Sequence, residues 1–166
     1  TGDERYKEHL LEIADEELIN WPRSQEQFEY PILVIWSVFI PAYAVTNDQK
    51  YLAASEQFFD SFDMALNFDL NRFSLESLIK GTDALLSLSK TSEHAVIYKT
   101  QAHSVLQEIL NQSWDNPESS KSNGDYGFGY AITKDNNYVK KTLHNGWLVK
   151  IFAELADEKF NLPVVK

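Results

Sequence analysis

The chain contains no cysteine, which excludes disulfides and thiolate metal sites but leaves the compartment open, since a cysteine-free sequence suits oxidising and reducing surroundings alike. Basic residues are scarce: 15 Lys and Arg stand against 25 Asp and Glu, a formal net charge of −10. That balance argues against nucleic acid and against an anionic membrane surface as partners. The longest apolar run, Ile32-Leu33-Val34-Ile35-Trp36-Ser37-Val38-Phe39-Ile40, falls well short of the roughly 20 residues that span a bilayer. Also missing are a Gly-x-Ser-x-Gly elbow, a phosphate loop, a dinucleotide fingerprint and any His/Asp/Glu spacing typical of a metal site, so neither metal nor cofactor is expected.

What is present is enough apolar sequence, 43% of 166 residues, for a single domain over residues 1–166, and a phrase that returns three times. Thr1-Gly2-Asp3-Glu4-Arg5-Tyr6 is echoed by Thr46-Asn47-Asp48-Gln49-Lys50-Tyr51 and, more loosely, by Thr91-Ser92-Glu93 leading to Tyr98, with the threonines 45 residues apart. Asn20-Trp21, Asn67-Phe68-Asp69 and Asn111 with Trp114-Asp115 follow in phase. Each phrase opens a stretch whose apolar residues recur at steps of three and four, the spacing of one helical face. These B-type helices cover 3–18, 48–66 and 94–112, with Asp3, Asp48 and Glu93 placed where a helix N-terminus favours negative charge.

Between them lie more apolar, A-type helices over 31–45, 75–89 and 143–155. Pro31 suits a first helical turn, whereas Pro41 is expected to kink or divide its helix. Residues 31–45 are apolar nearly all round, which predicts an enclosed inner helix. The expected fold is therefore all-α: repeated antiparallel helical hairpins, a stacked or closed array instead of a single bundle. A fourth, degraded phrase, Ala156-Asp157-Glu158-Lys159-Phe160, arrives about 20 residues late. The extra length, between Asn111 and Thr142, contains Asn123-Gly124-Asp125-Tyr126-Gly127-Phe128-Gly129-Tyr130, a composition suited to a Gly/aromatic binding loop or a short β-hairpin near 123–132.

In such an array the long B-to-A connections share one rim, the side on which insertions and ligands gather. That rim would collect Trp21, Glu26, Glu29 and Tyr30, then Phe68, Asp69 and Arg72, then Trp114, Asp115, Asp125, Tyr126 and Tyr130, with His144-Asn145-Gly146-Trp147 opening the last A-type helix beside them. Rings mixed with carboxylates and amides suit a carbohydrate ligand. A plainer reading stands beside this one: Asn followed by an aromatic at a helix end is commonly a C-cap with a hydrophobic contact, and Asp69 and Asp115 would then cap the next turn. His9 and His94 read as solvated, and His103 lies on the polar side of its helix.

With these residues in view, the chain resembles part of an α/α-toroid protein of the six-hairpin glycosidase type. Thr-Gly-Asp-x-x-Tyr opening an outer helix is similar to the repeat consensus of those enzymes. Ser77-Leu78-Ile79 through Leu85-Leu86-Ser87-Leu88-Ser89 and His144-Asn145-Gly146-Trp147 resemble segments of the unsaturated glucuronyl and rhamnogalacturonyl hydrolases, with His144 where their Gly-Asn-Gly-Trp phrase has glycine. The resemblance implies a partial toroid, since a closed ring needs about twice this length, and the rest of a longer chain or another subunit would complete it. It implies glycoside hydrolysis with Asp125 as acid, its pKa raised among the rings, Asp69 as its carboxylate partner and His144 nearby. Trp114, Tyr126, Tyr130 and Trp147 would stack on sugar rings alongside Trp21 and Tyr30, while Asn145 and His144 hydrogen-bond hydroxyls. Polysaccharide lyases and sugar epimerases share the fold; in those chemistries Tyr126 or His144 would abstract a proton while Arg72 neutralises a uronate. A non-catalytic helical-repeat scaffold is the alternative from a different class.

Overall fold

The computed structural model describes residues 4–21, 28–67, 73–113, 130–132, 138–140 and 142–157. The chain divides into two compact units, Thr1–Ile109 and Leu110–Lys166, and its described residues are mostly helical.

In the first unit, helices occupy all five stretches that the sequence pattern marks. They are α1 (Glu4–Ile19), a helical run formed by α2 (Glu29–Val34), a π-helical stretch (Ile35–Phe39) and α3 (Ile40–Thr46), then α4 (Gln49–Ser61), α5 (Leu75–Leu88) and α6 (Ala95–Ser113). The run over 29–46 touches α1, α4 and α5, and is the centre of the unit. Its Ile32, Ile35, Phe39 and Ala42 are fully buried.

Pro41 neither divides nor sharply ends this run. The Ile40 amide donates to Ile35 O, five residues back, so the ladder widens by one residue immediately before the proline, which then sits in the first turn of α3. The run is also less enclosed than its composition suggests: Ser37 is exposed, and Leu33, Trp36 and Ile40 are half-buried. Glu29–Thr46 has the length and mean hydropathy, 18 residues at 1.4, of a helix able to cross a membrane. The buried row just named gives that apolarity a role in the core.

The repeated Thr-x-Asp phrase is a link between helices. Thr46 Oγ1 donates to Ala42 O at 2.6 Å and accepts from the Asp48 amide at 3.1 Å. Asn47 adopts the left-handed conformation, φ 57°, while its amide closes on Tyr43 O. Asp48 then caps α4 by accepting from the Lys50 amide at 3.1 Å. Near Thr91, Ser92 Oγ accepts from the His94 amide at 3.0 Å in the turn that leads into α6. Helix α4 stops at Ser61, short of the expected 66. Phe62 is extended, and the Asp63 carboxylate accepts from the amides of Ala65 and Leu66, which starts a separate turn.

Two tyrosine–aspartate bonds tie the B-type helices together. Tyr51 on α4 donates to Asp15 Oδ1 on α1 at 2.8 Å, and Tyr98 on α6 donates to Asp60 Oδ1 on α4 at 2.7 Å. The Lys50 and Tyr51 hydrogen bonds hold Asp15 below the usual carboxylate range. Burial first, and the Asp60 bond second, push the Tyr98 phenol above its ordinary value. A raised tyrosine pKa contributes stability that is complete below about pH 10 and declines above it, because the unfolded chain releases its proton first. Tyr98→Phe is therefore expected to cost about 1–2 kcal/mol at neutral pH and to flatten the fall in stability above about pH 10, measured by urea unfolding across pH. An unchanged alkaline slope would remove Tyr98 as its source.

An aromatic cluster joins the residue before α2 to the segments that follow α4 and precede α5. Phe28 stacks on Phe62 at 4.2 Å, and Phe73 packs on both rings at 6.0 Å. Close by on the sequence, α5 carries a glycine where contact is tightest. A Cβ on Gly81 would lie 2.5 Å from Met64 Sδ and Cε and 3.3 Å from Ile32 Cγ2. Gly81→Val should thus destabilise by about 2–3 kcal/mol through overpacking. The double variant with Met64→Ala should lose less than the sum of the two single losses, measured by urea unfolding. Strict additivity would show that Met64 is not the obstacle.

The second unit contains an antiparallel pair, β1 (Tyr130–Ile132) and β2 (Tyr138–Lys140), with Ala131 opposite Val139, followed by α7 (Thr142–Asp157). The hairpin expected near 123–132 overlaps β1, and residues 123–129 lie outside the described residues. On α7, Leu148, Ile151 and Leu155 are buried, the helical stripe that the sequence spacing predicts.

Candidate functional site

Of the residues that the sequence points to, Asp69, Arg72, Trp114, Asp125 and Tyr126 lie outside the described residues. Tyr130 is in β1, and His144 and Asn145 are in the first turn of α7. Trp147 on α7 is half-buried, and beside it Gly146 faces open space, with nothing within 4 Å of a Cβ built there.

Two others can be followed in detail. Trp21 packs edge-on to Phe39 with ring centroids 5.0 Å apart, tilts against Phe58, and donates its indole N–H to Ala54 O at 3.1 Å. That is the hydrophobic contact expected of a helix end, made between α1, the central run and α4. Tyr30, at the start of α2, is part-exposed, and its hydroxyl donates to Glu17 Oε1 at 2.6 Å. Glu29 beside it accepts the Ser74 amide at 2.5 Å, which joins the starts of α2 and α5.

The strongest concentration of chemistry lies on α5, in residues that the apolar pattern hid. Glu76, Lys80, Asp83 and Ser87 stand at i, i+4, i+7 and i+11, one stripe along a helix otherwise built of Leu75, Leu78, Ile79, Leu85 and Leu86. Trp36 of the central run meets this stripe. Its indole N–H donates to Asp83 Oδ2 at 2.8 Å, and Lys80 Nζ lies 4.8 Å from the ring centroid, a cation–π distance, while pairing with Glu76 Oε1 at 2.6 Å. Ser87 Oγ donates to Asp83 O at 2.9 Å.

Burial makes the stripe unusual. Asp83 is 8% exposed and the Lys80 side chain 13%, although charged groups are rarely this enclosed unless paired. The Trp36–Asp83 and Lys80–Glu76 contacts compensate part of that desolvation. Glu76 and Trp36 remain partly open, so the constellation presents a ring edge and a carboxylate toward solvent. Such a set can stack on an apolar face and hydrogen-bond to hydroxyls. The signal that could have found it is four polar residues at helical spacing inside an A-type helix.

Elsewhere, His94 is exposed, as the sequence reading expects, and its Nδ1 lies 3.2 Å from Asp60 Oδ1 and 3.4 Å from the Tyr98 hydroxyl. Ser92 donates to Glu56 in the same cluster. Among the described residues no group of three or more His, Cys, Asp or Glu side chains is arranged to hold a metal. Compared with protein-family models, curated proteins and solved structures, the chain matches none.

Proposed function

We propose that this chain is the helical-hairpin portion of an α/α toroid that acts on an oligosaccharide by carboxylate general acid/base chemistry, with the remainder of a longer chain or another subunit completing the ring. The observation that carries this reading is the Trp36–Asp83–Lys80–Glu76 constellation on the central and α5 helices. An aromatic ring flanked by carboxylates and an ammonium is a set that can face a sugar ring and its hydroxyls together. The recurrence of the tyrosine–aspartate bond between α1 and α4 and again between α4 and α6 supports the array. The residues assigned to chemistry, Asp125 with Asp69 and His144, come from the sequence resemblance.

The test is calorimetric titration of the chain with a panel of neutral and acidic oligosaccharides. One of them should bind, and Trp36→Ala should weaken it at least tenfold while leaving the helical circular dichroism unchanged. Unaltered affinity in that variant would remove the α5 stripe from the site.

A binding scaffold without catalysis is the second reading, favoured by the way the stripe satisfies itself: Trp36 is bonded to Asp83 and Lys80 to Glu76 with no ligand required. Binding of no oligosaccharide in the panel would move the assignment there.

A further inference from the structure

Helix α4 packs beside the last turns of the run over 29–46 and the end of α5 without filling the space between them, and a cavity of about 310 Å³ remains. Its lining lies wholly within the first unit. The floor is buried: Phe39 is 0% exposed, Leu88 1% and Leu52 7%. Asn47 and Thr91 are exposed and mark the mouth, with Tyr43 half-buried beside them.

The walls are held from outside the cavity. Tyr51 lines it, and its hydroxyl is bonded to Asp15 at 2.8 Å. Phe39 lies between Tyr51 and Trp21, with ring centroids at 6.3 Å and 5.0 Å. Neither ring is free to move in and close the space.

Two features set the chemistry of an occupant. Not one lining residue is Asp or Glu, in a chain that has 25 of them. An ammonium would find no carboxylate there, and a carboxylate would give up its water to rings and methyl groups, since Lys90, the one cation of the lining, is exposed at the mouth. The floor therefore suits an uncharged and mostly apolar molecule. The second feature is Ser55, a lining residue that is 0% exposed. Its Oγ donates to Tyr51 O at 2.9 Å, and among the described residues nothing donates to it in return. A hydroxyl has two lone pairs besides its one proton, so a buried Ser55 is short of a donor.

We propose that this cavity is a binding site for a small uncharged amphiphile, an aryl or alkyl alcohol, whose hydroxyl donates to Ser55 Oγ while its hydrocarbon part packs on Phe39, Leu52 and Leu88. Size selects the occupant further. A cavity of roughly 150 Å³ holds one benzene, so this one takes two fused rings or a chain of about ten carbons, whereas a helix about 10 Å across does not fit. The inference goes beyond the carbohydrate reading and does not rest on it.

The experiment titrates β-naphthol into the intact chain and follows the backbone amides by nuclear magnetic resonance. Saturation at one site is expected, with Kd of about 10–100 μM, and with shifts concentrated around Phe39, Leu52, Ser55 and Leu88. The methyl ether of β-naphthol, which has no proton to donate, should bind the unaltered chain about fivefold more weakly. Ser55→Ala should weaken β-naphthol about fivefold and leave the ether within about twofold. The comparison of alcohol with ether needs no variant, so it decides the matter even where Ser55→Ala fails to fold. No saturation up to about 1 mM overturns the proposal, as do shifts centred on Trp36 instead of the cavity. Equal affinity for the alcohol and its ether overturns it too, because the Ser55 hydroxyl would then recognise nothing.

Discussion

Replacing Phe39 with alanine is expected to lower the unfolding free energy by about 3–5 kcal/mol. Phe39 is fully buried at the end of the π-helical stretch. Its ring meets Trp21 edge-on at 5.0 Å and stacks near Tyr51 at 6.3 Å. Both neighbours are held from elsewhere, Trp21 by its bond to Ala54 O and Tyr51 by its bond to Asp15, so neither can swing into the space left behind. The widened ladder before Pro41 fixes the backbone in the same way. Phe39 also walls a cavity of about 310 Å³ bordered by Tyr43, Leu52 and Leu88. Truncation would extend this cavity inward toward Trp21, adding lost contacts to lost transfer energy. Urea unfolding followed by tryptophan fluorescence checks the figure. A loss below about 1.5 kcal/mol would mean that the surrounding rings repack. Phe39→Leu, which refills most of the volume, should cost roughly half as much.

The second large effect concerns turnover. Under the carbohydrate proposal, Asp125→Asn is expected to reduce kcat on a susceptible oligosaccharide by about 10²–10⁴-fold, the usual share of a positioned general acid. Affinity should stay within about twofold, because the amide keeps the shape and hydrogen-bonding capacity of the side chain but has no acidic proton to transfer to the leaving oxygen. Loss of kcat with an intact Kd is the signature that separates a catalytic role from a folding role. Unchanged turnover would remove Asp125 from the chemistry, and Asp69 would be tested next in the same way.

Much of the helical layout is legible in the residues themselves. The i, i+3, i+4 rows of α4 and α6 require helices with one buried flank, and Tyr51, Phe58, Tyr98 and Val105 are where that flank closes. Thr46-Asn47-Asp48 is legible as a link because each residue type has one cheap local task there: hydroxyl to backbone, left-handed turn, helix cap. The polar stripe on α5 was masked by its surroundings. Glu76, Lys80 and Asp83 are spaced as neighbours on a helix, but only the arrival of Trp36 from 47 residues earlier turns Asp83 from a surface carboxylate into an enclosed acceptor. Trp21 shows the converse. As a ring at a helix end it suited a ligand platform equally well, and Phe39, Phe58 and the Ala54 carbonyl are what place it against the core.

The sequence by itself determined the helical stretches, their links and the 45-residue rhythm, because periodic burial, caps and turns are properties of short windows whose energies are decided within a few residues. Tertiary structure decided which polar groups are enclosed together and how the run over 29–46 widens to accept Pro41. Those outcomes depend on desolvation and packing between residues tens of positions apart, and no window of sequence contains both partners.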